Sequence, residues 1–414
     1  MSIRFILFFS FLIAIDIYTF YGIKALLKKS DYKKLLKYAY LFLILLTYLG
    51  IAYLIYFFSK RPIHASLIRN LIVGFSFAFI LFKIIFSVFL IIDDLSRILA
   101  YTVNYISKMG AESEVIKYPQ RRKFIGQIGL GIAAIPFLSM LYGITKGKYN
   151  YKVKHISLKF KNLPKVFNGF KLVHISDIHA GSFDSMTDVQ RGLDLVNAQE
   201  PDIICFTGDL VNNDSREIEP YINMFKALKS KYGSFSSLGN HDYGDYKRWP
   251  SKQAKKDNLD LLFEHHSTIG FKLLNNSSSF IEKEGERLTI IGVENWGRPP
   301  FPQRGDLDKA LKNVMDSDFK ILLSHDPTHW DYKVISHPTA IDLTLSGHTH
   351  GMQFGIEIPG FKWSPIKYFY PRWAGLYQEA KQYLYVNRGF GFLGFPGRVG
   401  IWPEITVIEL LTDA

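Results

Sequence analysis

One cysteine, Cys205, stands among 414 residues. That excludes an intrachain disulfide framework and any metal site built on several thiolates, and it leaves the redox compartment open. No Gly-rich Walker loop is present, so nucleotide hydrolysis by a P-loop mechanism is not supported. There is no internal repeat and no low-complexity tract, and at 48% apolar residues the chain is far from a disordered composition. Acidic residues are scarce in one place only. Residues 1–123 carry 17 Lys/Arg against 6 Asp/Glu, while residues 124–414 carry 33 against 31. The net charge of +13 therefore belongs mainly to the N-terminal third. A nucleic-acid binder would show its excess on the folded domain. Here the excess flanks apolar runs, which points to a membrane.

What is there begins with four such runs, at 5–23, 38–58, 71–92 and 124–144. Each has about the 20 residues that a helix needs to cross the hydrocarbon core. The first run lacks the small-residue pattern of a cleaved signal peptide. The loop 24–37 holds Lys24, Lys28, Lys29, Lys33, Lys34 and Lys37. The loop 59–70 holds Lys60, Arg61 and Arg69, and the loop 93–123 holds Arg97, Lys108, Lys117, Arg121, Arg122 and Lys123. The positive-inside rule then places the first and third loops in the cytoplasm and everything from about residue 148 outside it. Arg121-Arg122 before an apolar run also resembles a twin-arginine export signal, with ordinary flanking charges as the alternative. Both readings export the C-terminal part.

Asp16 and Lys83 are the ionisable residues well inside the spans. An isolated intramembrane charge is costly, and these two sit at matching depths in the first and third runs. An ion pair between those spans is expected, with a protonated Asp16 and a snorkelling Lys83 as the alternative.

Beyond residue 148 short apolar strands alternate with helical stretches, the pattern of α/β layers. Strands are expected at 171–176, 202–207, 234–238, 288–293, 320–324 and 340–346, and helices at 187–199, 216–230 and 254–268. A Gly/Pro-rich surface loop is expected at 294–307. Polar clusters stand at the strand ends: Asp177-Ile-His179, Gly208-Asp209-Leu-Val-Asn212, Gly239-Asn240-His241-Asp242, Ser324-His325 and Gly347-His348-Thr-His350. Ligands of α/β sheets bind outside the carboxyl ends of strands, so these clusters can converge on one crevice. Asp, Asn and His without thiolates suit divalent Mn, Fe, Zn or Co. Two such ions bridged by a carboxylate are a recurring device for cleaving phosphoesters.

These motifs, in this order, resemble the calcineurin-like metallophosphoesterase superfamily over roughly residues 150–412. The tail Gly375-Leu-Tyr-Gln, Leu384–Gly391 and Pro403–Leu410 is similar to its bacterial membrane-associated branch. The resemblance implies a two-sheet α/β sandwich flanked by helices (148–414), preceded by an all-α bundle of four transmembrane helices (1–147). It implies two divalent ions, with Mn, Fe or Zn expected. One would be held by Asp177, His179, Asp209 and His350, and the other by Asp209 as bridge with Asn240, His325 and His348. His241 would be a general acid or transition-state stabiliser, with Asp242 as a catalytic charge neighbour. Many relatives carry an acid at the position of Asn212 to orient that histidine, and Asn cannot supply the charge.

The expected protein is a metal-dependent phosphodiesterase or phosphatase. It would sit in a bacterial cytoplasmic membrane with its catalytic domain outside, and would act by in-line attack of metal-bound hydroxide. Tethering suggests a lipid-linked substrate by association. The alternatives are a non-catalytic membrane scaffold or sensor, against which the complete ligand motifs speak, and a nuclease of the same fold. The near-neutral C-terminal part disfavours the nuclease. Away from the motifs, His174 is expected in the core, His265 and His266 on the surface, and His329 and His337 outside the site. Asp214 and Asp326 are expected to be solvated or to neighbour the ligands. Arg388 stands open between a phosphate contact and a salt bridge, and the aromatic tract 361–373 between core and an apolar substrate wall.

Overall fold

Long Leu/Ile/Phe runs without interruption favour helix, and in a bilayer they must form it, because no water is available to satisfy the backbone. A computed structural model of the chain describes residues 3–27, 31–59, 63–107 and 119–413. Of the loop charges counted above, Lys28, Lys29, Lys60, Arg61, Lys108 and Lys117 lie outside the described residues. The four runs are helices α1 (Ile3–Leu26), α2 (Lys33–Ser59), α3 (Leu67–Ser107) and α4 (Pro119–Thr145). Each is long and apolar enough to span, and the chain is an integral membrane protein. α3 departs from expectation. It runs for 41 residues, about 60 Å, so the segment after residue 92, expected as a loop, begins as helix. Residues 93–107 contain neither Gly nor Pro to stop it.

The chain divides into two compact units, Met1–Arg61 with Leu71–Tyr142, and Pro62–Asn70 with Gly143–Ala414. In the first, Tyr40, Phe79, Phe82, Phe86, Leu90 and Ala133 form the core. Within it the Lys83 ammonium lies 2.5 Å from Asp16 Oδ1, and the Tyr48 hydroxyl donates to Asp16 Oδ2 at 2.8 Å. The expected contact between the first and third spans is present. Arg121 and Arg122 pair with Asp93 and Asp94 of α3 at 3.5 and 3.2 Å.

The second unit carries fourteen strands among the described residues: β1 (Lys152–Phe160), β2 (Phe170–Ile175), β3 (Ile203–Phe206), β4 (Ser234–Ser236), β5 (Phe271–Leu273), β6 (Ser277–Lys283), β7 (Glu286–Gly292), β8 (Phe319–Leu323), β9 (Leu343–Ser346), β10 (Ile356–Ile358), β11 (Phe361–Trp363), β12 (Gly375–Glu379), β13 (Gln382–Val386) and β14 (Glu404–Thr412). One six-stranded sheet has the order β1-β14-β2-β3-β4-β5 and the other β12-β13-β9-β8-β7-β6, while β10 and β11 form a separate hairpin. The alternation of each strand sorts its side chains. Leu172, Ile203 and Cys205 of the first sheet meet Ile290, Ile321 and Leu345 of the second between the sheets. Val173, Ile175 and Phe206 point outward against helices α5 (Met186–Asn197) and α7 (Lys252–Thr268). Strands such as β3 and β8 are buried on both faces and read as continuous apolar runs for that reason.

Two local expectations are corrected. The helix expected at 216–230 is a 3-10 turn, Ser215–Tyr221, followed by the short α6 (Ile222–Lys226). Pro220 removes a backbone donor there, and Asp214 caps the turn. His265 and His266 are buried, not on the surface. His265 Nδ1 lies 3.1 Å from the Ser215 carbonyl and His266 Nδ1 lies 3.0 Å from Ser236 Oγ, because the last turn of α7 packs on the sheet. Residues 63–70 also belong to this unit. Ala65 N–H donates to Gly181 O at 3.0 Å, and the Asn70 amide donates to Asp184 at 2.7 Å.

Candidate metal centre

Five strands deliver the polar clusters to one end of the sandwich: β2, β3 and β4 from one sheet, β8 and β9 from the other. Backbone bonds cross between the loops. Asp177 N–H donates to Gly208 O at 2.9 Å, His179 N–H to Asp209 O at 3.0 Å, and Gly347 N–H to His325 O at 2.9 Å. Two glycines permit this approach. Gly208 has φ +90°, and a Cβ on it would lie 2.3 Å from Gly239 N; a Cβ on Gly347 would lie 2.2 Å from Asp177 Oδ2. Asp177, His179, Asp209, His348 and His350 themselves have φ of 53°, 49°, 59°, 70° and 50°. Asp and His tolerate the left-handed region better than most residues but pay strain for it, and such strain collects at functional sites.

The seven expected ligands form one unbroken series of contacts. His350 Nε2 is 3.2 Å from Asp177 Oδ1 and 3.0 Å from His179 Nε2. His179 Nε2 is 3.5 Å and His325 Nε2 3.2 Å from Asp209 Oδ2. His325 Nε2 is 3.3 Å from His348 Nδ1, which is 2.9 Å from Asn240 Oδ1. Two groups of candidate ligand atoms stand out, Asp177 with His179 and His350, and Asp177 with Asp209 and His325. They share Asp177, while Asp209 Oδ2 touches a histidine from each side. The two ring nitrogens 3.0 Å apart either share one hydrogen or, with that hydrogen gone, both turn a lone pair to the same point. Nitrogen and oxygen donors converging in a buried pocket fit divalent cations of borderline hardness.

The electrostatics agree. Burial opposes ionisation of Asp177 and Asp209, but the His350 imidazole beside the first and His325 beside the second hold both carboxyls below their usual range. Burial also opposes a charge on His325, yet Asp209 pushes it up to about 10. Burial lowers His179 and His348.

His241 stands beside the series, its ring 5.1 Å from that of His179. Its Nδ1 lies 2.8 Å from the backbone carbonyl of Asn212. The partner expected from an acidic side chain at 212 is thus supplied by the main chain, whatever the side chain. The carbonyl accepts a hydrogen bond from Nδ1–H, which turns Nε2 away from it. Asp242 does not face His241. Its two oxygens accept the backbone N–H groups of Asp209, Leu210 and Gly239 at 2.8 Å and of Val211 at 3.3 Å. Glu217, which has no motif around it, accepts those of Asn212, Asn213 and Asp214 at 2.5, 3.2 and 3.1 Å. Burial pushes both carboxyls up to about 7, against the pull of these amides.

Three further neighbours carried no sequence signal. The Tyr370 hydroxyl is 2.8 Å from His348 Nε2, and the Tyr246 hydroxyl accepts from the Asn240 amide at 2.9 Å. The fully buried Arg398 donates to the Gly389 and Gly391 carbonyls behind His350. Arg388 is engaged by Glu357 and Glu404, a salt bridge. Asp214 pairs with Arg216 and Lys247, and Asp326 Oδ2 lies 3.4 Å from His348 Nε2. His174 and His329 are core residues bonded to Thr207 and Ser324. The aromatic tract divides: Trp373 is buried, while Phe361, Tyr368 and Phe369 are exposed.

A two-sheet α/β sandwich with histidines and carboxylates gathered at its strand ends, following four membrane helices in the chain, defines a membrane-linked metal-site domain. Comparison with known proteins makes the class specific. A family model described as "Calcineurin-like phosphoesterase" matches residues 170–352, and one described as "Probable Calcineurin-like phosphoesterase, transmembrane domain" matches residues 2–148. The metallophosphoesterase YkuE of Bacillus subtilis (strain 168) is 30% identical over 259 residues, which cover 61% of this chain and 83% of that protein. A metallophosphoesterase of Helicobacter pylori (strain J99) is 26% identical over 408 residues, 97% of each chain. A transmembrane protein with metallophosphoesterase domain from Danio rerio is 29% identical over 280 residues, 65% of this chain, and the match spans only 60% of that relative. The chain belongs to the calcineurin-like metallophosphoesterase family.

Proposed function

We propose that this protein hydrolyses a phosphoester or pyrophosphate bond with two divalent ions, on the outer side of a bacterial cytoplasmic membrane. What carries this reading is the unbroken series of ligand contacts from His350 to Asn240. Asp177, His179, Asp209 and His350 would hold one ion, and Asn240, His325 and His348 the other, with Asp209 shared by both. When bound, the ions supply Lewis acidity and activate water near neutral pH. Mn, Fe or Zn suits the donor set.

The protein's own groups do the rest. Asp242 and Glu217 fix the loop that carries Asp209 and the Asn212 carbonyl, so both are positioning residues. That carbonyl accepts the Nδ1 hydrogen of His241, so it is the imidazolium form, with its second proton on Nε2, that gives a proton to the leaving oxygen as general acid and returns to the neutral ring. The outward placement of the domain rests on the loop charge count. Tethering to the membrane favours a lipid-linked phosphate or pyrophosphate.

The test is a panel of nitrophenyl mono- and diesters, phospholipids and lipid pyrophosphates offered with Mn, Zn or Fe. It should use the full chain, because a protein starting at residue 148 loses the bonds from Ala65 and Asn70. Turnover of at least one class is expected. Metal binding without any turnover would favour the scaffold or sensor instead.

A further inference from the structure

The hairpin β10–β11 has its polarity turned inside out. Its register pairs Ile356 with Trp363, Glu357 with Lys362 and Ile358 with Phe361. Residues directly opposite each other in an antiparallel pair share a face. One face therefore holds Glu357 and Lys362, and the other Ile356, Ile358, Phe361 and Trp363. A hairpin on a water-facing surface turns its apolar face inward. Here the charged face is the one pinned to the domain. Glu357 accepts from two of the Arg388 nitrogens, Nε and Nη2, at 2.9 Å and from the Lys154 ammonium at 2.5 Å. Lys362 donates to the Ala374 carbonyl at 2.5 Å. Three of the four apolar side chains are open, with Ile356, Ile358 and Phe361 51%, 58% and 53% exposed and Trp363 half-buried at the base. Tyr368 and Phe369 follow at 71% and 58%, with the Lys367 ammonium over the Tyr368 ring. Exposed aliphatic side chains beside aromatics and lysines are the composition of a membrane interface.

The position of the hairpin within its unit selects the occupant. Gly355 N–H, at its base, donates to Val399 O at 2.9 Å, and the next residue back, Arg398, donates its N–H to Gly143 O at 3.3 Å. Trp402 packs on Gly147. Gly143–Gly147 is where the chain leaves the fourth spanning helix, so the hairpin stands two contacts from the point of exit. We infer that the face of Ile356, Ile358 and Phe361 docks in the headgroup region of the lipid bilayer. The same segment then runs to Tyr370, whose hydroxyl meets His348. A phosphate carried on a lipid would reach the centre along this edge without leaving the interface. That extension rests on the phosphoesterase reading; the docking itself does not.

The test uses the full chain in vesicles of phosphatidylethanolamine and phosphatidylglycerol containing doxyl-labelled lipid. An environment-sensitive fluorophore is placed on Ile358→Cys, and on Met315→Cys, an exposed position before the N-terminal end of β8 and so at the end of the sheet opposite the strand-end clusters, as reference; the native Cys205 is buried. Strong quenching at 358 and little at 315 is expected. Equal quenching at the two positions would overturn the inference, as would crosslinking of two copies through Phe361→Cys without quenching at 358. A second arm compares Ile358→Glu with the unmodified protein. Hydrolysis of a vesicle-borne phospholipid should fall about tenfold, the scale of losing one buried aliphatic side chain, with nitrophenyl ester turnover unchanged. If no ester of any kind is hydrolysed, the phosphoesterase reading fails while the quenching still decides the docking.

Discussion

Both units of this protein bury charge, and they settle it differently. In the helical unit Asp16 meets one ammonium and one hydroxyl, and the account is closed with nothing left over. In the sandwich, Asp177 and Asp209 meet four histidines whose ring nitrogens crowd to within 3.0–3.3 Å of one another. A closed pair is structure. A set of nitrogen and oxygen donors converging on one place is a site for cations. The difference teaches that buried charge alone does not mark function; converging donor atoms do.

The sharpest way to break this contrast is Asp209→Ala. It removes the oxygen lying between His179 and His325, and both bound metal and hydrolysis should be lost. Elemental analysis showing full metal content alongside retained turnover would refute the assignment.

His241→Ala separates the site from its chemistry. Metal content should stay at the unmodified level while kcat falls by roughly 10²–10⁴, less for esters with good leaving groups. A loss equal across leaving groups would replace proton donation by charge stabilisation.

On the closed side, Lys83→Met strands Asp16 in the bundle. The full chain in detergent should lose about 2.5–3.5 kcal/mol, the cost of an unpaired intramembrane charge. The double variant Lys83→Met, Asp16→Asn should recover most of it. No difference between single and double variants would show that the pair contributes nothing.

The smallest effect concerns a closed pair in the sandwich itself. Burial opposes the charge on Glu404, but the Arg388 guanidinium holds its carboxyl down at about 2 against an ordinary 4.5. A depressed carboxyl contributes stability above its unfolded value that fades as pH falls through its folded one. Glu404→Gln should therefore flatten the fall of the melting temperature between about pH 4.5 and pH 2. Parallel melting curves for the two proteins would count against the pair.

Much of this was legible in the sequence, for physical reasons. Apolar runs of spanning length declare themselves, and so do Asp and His placed where strands end, because strand ends are where an α/β sheet exposes side chains together. Asp16 and Lys83 could be matched by depth alone. What stayed hidden follows from contacts that leave no local pattern. Glu217 and Asp242 act on backbone N–H groups, which every residue but proline has. The Asn212 carbonyl orients His241 through an atom that no side-chain reading weighs. His265 and His266 look polar at the end of a charged helix, yet that turn is the one packed on β4. The extension of α3 beyond its apolar run and the three-residue strands β5, β10 and β11 have weak periodicity, and β1, β6 and β12 to β14 also lie outside the strands expected from the sequence. Such elements are fixed by tertiary contacts more than by propensity.

The two buried carboxylates also set a rule for the chain's own variation. Every backbone N–H from Asp209 to Asp214 ends on Asp242 or Glu217, although none of these residues lies in a helix or strand. Six successive positions are thus closed to proline, while the side chains at 210 and 211 are free to change in any way the apolar core accepts. In deuterated solvent this irregular loop should keep its protons as a central strand does. It would stand out as a protected stretch where secondary structure gives no reason for one.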